Sequence, residues 1–255
     1  MPILTTAASD HNCPKQRRES RRQVGPAPYV QHRDSRPGNY RSLKRRVLDS
    51  GPESLTDEEL LEYLLSTVGP HRELTCLSEW LVQRFGSLAD VLDSTATQLS
   101  RIDGLDKSTI AIIKIVPEVA RRMALEQIID CPVLSSCDNV LAYCRIALGR
   151  KKTEQFRLLF LDTKNRLIAD EKQQQGTVDH TPVYPREVVK RALELDASAL
   201  IMVHNHPSGD PTPSKADVAI TEAVQSAAAT VDIAVHDHIV ISRSGHNSFK
   251  NLGLL

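Results

Sequence analysis

A wholly apolar run, Ala199-Leu-Ile-Met-Val203, stops at His204-Asn-His206. A loop holding three prolines and one glycine then leads to Ser214-Lys-Ala-Asp217, where a new apolar periodicity starts. No other stretch constrains the fold as tightly. The apolar run reads as a buried strand, and residues 215–229 read as the helix after it. Residues two apart on an extended chain point to the same side, so His204 and His206 project together. Ser214 and Asp217, three apart at a helix start, share a face. Two imidazoles and a carboxylate form the three-ligand set of a catalytic zinc site, with the fourth position left for water. Zinc brings the pKa of such a water down to about 7, which makes hydroxide available at neutral pH. Taken separately, each piece has a simpler reading: Ser-x-x-Asp is a helix cap, and Asn-His-Pro-Ser-Gly is a turn string. A cap does not require two histidines at strand spacing just upstream, and one aspartate can both cap a helix and bind a metal.

The rest of the chain divides around this stretch. Residues 1–40, with five prolines, many polar residues and no apolar periodicity, read as a disordered leader. Residues 41–126 read as all-helical. Thr56 and Glu59 form a capping box ahead of Leu60, Leu61, Leu64 and Leu65. Helices are predicted over 74–85, 87–93, 95–101 and 107–125, with a tight turn at Gly104 and a kink or break at Pro117. Beyond Cys131-Pro132, one helix over 136–148 precedes a strand at 156–162, a turn at 163–166 and a strand at 167–169. A helix over 185–196 buries Val188, Val189, Ala192 and Leu193. Val231, Ile233 and Val235 alternate as one further strand, and 239–241 form the last. The mixture predicts an α+β chain whose 132–255 part is a three-layer α/β/α domain.

Charge is distributed unevenly. The whole chain carries 32 basic and 32 acidic residues, but residues 1–46 hold 11 Lys and Arg against three acids. That leaves a net +8 at the start and −8 in the body, a basic tail on an acidic globule. The tail is the candidate contact for DNA. No apolar run approaches the roughly 18–20 residues that span a bilayer, so no membrane segment is expected. Five cysteines without a C-x-x-C pair indicate free thiols in a reducing, cytoplasmic setting and no cysteine-based zinc site. A deaminase-type zinc site would need H-x-E with P-C-x-x-C. The first occurs only as His71-Arg-Glu73, and the second is absent. His236, Asp237 and His238 read as a cluster where the last two strands meet, with a partner to a ligand histidine as the alternative. His180 reads as structural, as do Cys131, Cys137 and Cys144.

His-x-His, seven residues, Ser, two residues, Asp is the signature of the JAMM (MPN+) zinc metalloproteases. The wording around it, Pro185 to Leu195 and then Val203 to Ser214, closely resembles the bacterial RadC family. The likeness covers 132–255 strongly and 41–126 more loosely. It implies a JAMM fold of the cytidine-deaminase-like type and one zinc per chain, held by His204, His206 and Asp217. It also implies metal-assisted hydrolysis of a peptide or isopeptide bond, so that the partner is a protein or peptide substrate. By the same resemblance Ser214 assists the oxyanion, and a glutamate just before the first core strand is the general acid/base. Glu154 stands there, with Glu171 and Glu187 as rivals. Leu99 to Ile110 resembles the helix-hairpin-helix turn of the family's N-terminal region, which implies DNA contact; an association with DNA repair comes with the family's name. This chain has Asp106 where such hairpins carry a second glycine. A carboxylate there repels phosphate. The alternative is a non-enzymatic nucleic-acid-associated module with a structural or vestigial zinc site.

Overall fold

The computed structural model describes residues 40–68, 74–129, 131–133, 137–175 and 183–255. Residues 1–39 of the leader, His71, Glu73 and His180 lie outside the described residues, and Tyr40 already belongs to the first helix. Six helices come first: α1 (Tyr40–Ser50), α2 (Asp57–Ser66), α3 (Leu74–Phe85), α4 (Leu88–Asp93), α5 (Ala96–Leu99) and α6 (Lys107–Ile129). Then follow α7 (Cys137–Leu148), β1 (Gln155–Leu161), β2 (Leu167–Gln175), α8 (Pro185–Glu194), β3 (Ala199–Asn205), α9 (Lys215–Ala229), β4 (Ala234–Ile241) and β5 (His246–Ser248). A helical region thus precedes a mixed five-stranded sheet of order β2-β1-β3-β4-β5.

The helix starts follow local chemistry. The Thr56–Glu59 capping box forms at α2, and Thr95 with Gln98 makes another at α5. The helical core gathers Leu61, Leu65, Leu77, Leu81, Val91, Leu99 and Ile113. Gly104 takes φ +90°, which a side chain resists, and turns the chain into α6. The Asp106 carboxylate accepts from Thr109 N at 2.7 Å and from the Thr109 hydroxyl at 2.6 Å, so it caps α6.

Helix α6 does not break at Pro117; it continues to Ile129. A proline inside a helix costs about 3 kcal/mol by removing an N–H and crowding the preceding turn. Here both flanks are held by packing. Ile113 is buried in the helical core, and Ile128 in the core under the sheet.

The sheet is covered on both faces. One face (Leu159, Leu161, Ile201, Val203, Ile239 and Ile241) packs on α7 through Val140, Tyr143, Cys144 and Ala147. The other (Phe156, Leu158, Phe160, Leu200 and Met202) packs on α8 and α9 through Val188, Ala192, Val224 and Ala228. Strands β1 and β3 are antiparallel, β3 and β4 parallel, with α9 in the crossover. This layering explains the unbroken apolar sequence of β3, which is buried on both sides.

Three sequence expectations are corrected. Leu193 is 52% exposed and does not join the buried face of α8. Residues 231–233 are not strand: Asp232 sits at φ +57°, and Ile233 N donates to Ala228 O, closing the end of α9. His236, Asp237 and His238 do not mark a junction of two strands. They lie within the single strand β4.

Candidate metal centre

The site forms where β3 runs out between β1 and β4. Strand alternation places His204 and Met202 toward α9, and His206 continues the same side one step beyond the strand. Ser214 is the N-cap of α9. Its hydroxyl accepts from Asp217 N at 3.1 Å, while Asp217 Oδ2 accepts from Ser214 N at 2.7 Å. The capping box locks the Asp217 carboxylate at the first turn, facing the two imidazoles. Capping and ligand presentation are thus combined in one residue.

The three groups converge. His204 Nε2 is 2.9 Å from His206 Nε2 and 3.3 Å from Asp217 Oδ1, and His206 Nε2 is 3.4 Å from Asp217 Oδ2. Ligands of a tetrahedral ion at about 2.0–2.1 Å stand about 3.3 Å apart. Among the described residues, His204, His206 and Asp217 are the group able to hold a metal ion.

Proton placement strengthens this reading. The His206 ring lies 2.8 Å through Nδ1 from the Asp210 carbonyl, which can only accept, so Nδ1–H donates. The Thr221 hydroxyl donates to the Asp217 carbonyl at 2.5 Å. Its oxygen must then accept from His238 Nδ1, 2.6 Å away. Burial pushes the His238 pKa well below the ordinary histidine value, and neighbouring His204 adds to the shift. Neutral His238 therefore accepts, through Nε2, from His204 Nδ1–H at 2.8 Å. Both ligand histidines are left with the Nε2 lone pair aimed at a carboxylate. Three acceptors around one point call for a cation between them.

Without an ion a proton serves. The hydrogen bond to Asp217 raises the His206 pKa against the opposing effect of burial. Burial works against ionised Asp217, but the two imidazoles and Ser214 beside it hold its carboxyl far below the usual range.

Glu154 immediately precedes β1, and its charge helps raise the His206 pKa, which places it in the field of the site. The segment is fixed by Asn205, the residue between the two ligand histidines. Asn205 is 1% exposed; its side chain accepts from Gln155 N and donates to the carbonyls of Lys151 and Thr153. The two rival glutamates are engaged elsewhere. Glu171 on β2 takes a forked ion pair from Arg191, and Glu187 on α8 pairs with Arg186.

Thr221 and Asn205 were missed as site components, and of the His236-Asp237-His238 cluster it is His238 that partners a candidate ligand. Asp237 of the same trio serves β5 instead, accepting from the Ser248 hydroxyl and Lys250 N. His236 contacts Asn165 at 2.6 Å.

A mixed sheet with helices on both faces, carrying His-x-His at a strand end and an aspartate on the next helix, defines a JAB-type domain with a site that could hold a metal. Residues 134–254 match the family model described as "RadC-like JAB domain". A "UPF0758 protein" of Rhodobacter capsulatus is 50% identical over 213 residues, covering 84% of this chain and all of the relative. The chain belongs to the RadC family. Among the described residues no helix is long and apolar enough to cross a membrane.

Proposed function

We propose that this chain is a zinc-dependent hydrolase of the JAMM type, acting on a peptide or isopeptide bond. The observation that carries the reading is the convergence of two Nε2 lone pairs and a carboxylate within 3.4 Å. His204, His206 and Asp217 would hold one zinc per chain, and the donor set suits that ion. Zinc there supplies Lewis acidity that polarises the scissile carbonyl and acidifies the attacking water. Glu154 accepts the proton of that water and returns it to the leaving amine. The Ser214 hydroxyl, at the N-terminus of α9, donates to the developing oxyanion.

In this proposal 132–255 is a three-layer α/β/α catalytic domain and 41–126 a helix-hairpin-helix-like domain. DNA contact, and with it any part in repair, is assigned to the basic leader 1–40. The hairpin is the weaker candidate, because the Asp106 carboxylate stands at the turn where phosphate would approach.

Elemental analysis of purified protein tests the site: one zinc in wild type and none in His204→Ala or Asp217→Ala. Full zinc in either variant would overturn the ligand set. A broad peptide and isopeptide cleavage screen tests the activity. No cleavage by zinc-loaded wild type, with Glu154→Gln equal to it in every cellular assay, favours the non-enzymatic module.

A further inference from the structure

The metal centre opens beside a basic pocket of about 240 Å³ that lies between the helical region and the sheet. His206 and Pro207 form its inner wall, and Arg150, Lys151, Lys152 and Arg243 its cationic lining. These cations are not a loose surface patch. Asn205 pins the backbone of 151–153 to the end of β3, so the basic segment is built onto the same strand end as the two ligand histidines.

The guanidinium pair already grips a carboxylate. Asp90 of α4 accepts from Arg150 at 3.0 Å and from Arg243 at 2.5 Å, and Asp93 stands 3.7 Å from Arg150. Asp90 is presented by its helix: Ser87 is the N-cap and its hydroxyl donates to Asp90 Oδ2 at 2.7 Å. Lys114 of α6 holds the other end of α4 by donating to the Leu92 and Ser94 carbonyls. A side chain from the helical region thus enters the pocket that His206 lines and occupies its two arginines.

We propose that this basic pocket is a carboxylate-recognition subsite for the substrate, and that Asp90 is the internal competitor that fills it at rest. The proposal rests on the reading of the centre as a peptide or isopeptide hydrolase. Two guanidiniums converging on one carboxylate select a planar, bidentate acceptor. Asp90 shows that the two guanidiniums seat a two-oxygen carboxylate between them, and a substrate carboxylate would reproduce that fit. A substrate carboxylate displaces the Asp90 side chain from the two arginines and sets the neighbouring carbonyl toward His206.

The test is binding to the full zinc-loaded chain, read by fluorescence anisotropy. Three labelled short peptides are compared: one neutral with a free C-terminus, its C-terminal amide, and that amide with one internal glutamate. At least one carboxylate peptide should bind better than the plain amide, and the better of the two shows whether the terminus or the side chain is read. Asp90→Asn, which keeps the Ser87 cap, should tighten that binding by about tenfold as the competitor is lost. Arg243→Gln, at a 61% exposed side chain, should erase the preference without lowering the melting temperature. Equal binding of all three peptides, an affinity unmoved by Asp90→Asn in a variant that melts like wild type, or displacement of peptide by duplex DNA in an Arg243-dependent manner would each overturn the proposal. Carboxylate-dependent binding without cleavage would sink the hydrolase reading alone. Cleavage indifferent to Asp90 and Arg243 would sink the subsite alone.

Discussion

His238 Nε2 lies 2.8 Å from His204 Nδ1, and His238 is fully buried. Its other nitrogen is 2.6 Å from the Thr221 hydroxyl, which in turn donates to the backbone of Asp217. One candidate ligand is therefore oriented by a chain that ends on another. The ring is held by stacking on Phe249, with centroids 4.5 Å apart. Partners of ligand imidazoles typically set metal affinity by about 10–100-fold. His238→Ala should weaken zinc binding by that factor, measured with a competing chelator. His238→Gln, which can still accept from His204 Nδ1–H, should recover part of it. Equal affinities in wild type and both variants would show that the contact does not orient the ligand.

Metal uptake should release protons. His206 has a raised pKa without the ion, because Asp217 favours its charged form, whereas a metal needs the neutral ring. The sign follows directly: as pH falls through the raised pKa of His206, a proton displaces zinc and affinity drops. Calorimetric titration in buffers of different ionisation enthalpy should report net proton release near neutral pH. A heat independent of the buffer would contradict this.

Glu154→Gln should leave zinc content intact and lower turnover by about 100- to 10,000-fold, the usual worth of a positioned general base. Glu171→Gln separates it from its rival. Glu171 is committed to Arg191, so that change should leave turnover unaltered in a protein that still folds. A larger loss from Glu171→Gln than from Glu154→Gln would reassign the base.

Ser214→Ala combines two losses. The cap of α9 goes, worth about 1 kcal/mol of stability, and so does the hydroxyl proposed to donate to the oxyanion, a role worth about 100- to 1,000-fold in turnover. Ser214→Gly retains most of the cap because glycine is tolerated there. Turnover should fall equally in both while the melting temperature falls mainly in the alanine variant. Activity that tracks stability would leave Ser214 only the cap.

Much of this was legible in the sequence because the signals are local. Strand period two put His204 and His206 on one side, and the helix start put Asp217 opposite. The capping boxes at Thr56 and Ser214 were readable from residue type and spacing alone. What escaped depends on contacts distant in sequence. His238 meets His204 only because β3 and β4 pair in parallel with His238 beside Met202. Leu193 falls on the apolar stripe of α8 but beyond the reach of its cover. Pro117 reads as a breaker until two cores are seen gripping either end of α6. Asp232 looked like the polar position of an alternating strand, whereas its left-handed backbone is the turn that ends a helix.

Asp106 carries the last prediction, because it sits where the family resemblance asks for glycine. Its carboxylate caps α6 through Thr109 N and the Thr109 hydroxyl, and Thr109 is itself fully buried. The residue is therefore accounted for by helix stability rather than by phosphate binding. Asp106→Ala should destabilise the chain by about 1 kcal/mol, and Asp106→Asn by only a few tenths, since asparagine caps equally well. Asp106→Asn also removes the negative charge from the turn. If DNA affinity resides in residues 1–40, it should be the same in this variant as in wild type. Deletion of those residues should abolish it, together with its steep fall as salt rises. A marked gain in DNA affinity on Asp106→Asn alone would return the hairpin to the interface and show that the carboxylate had been holding phosphate off.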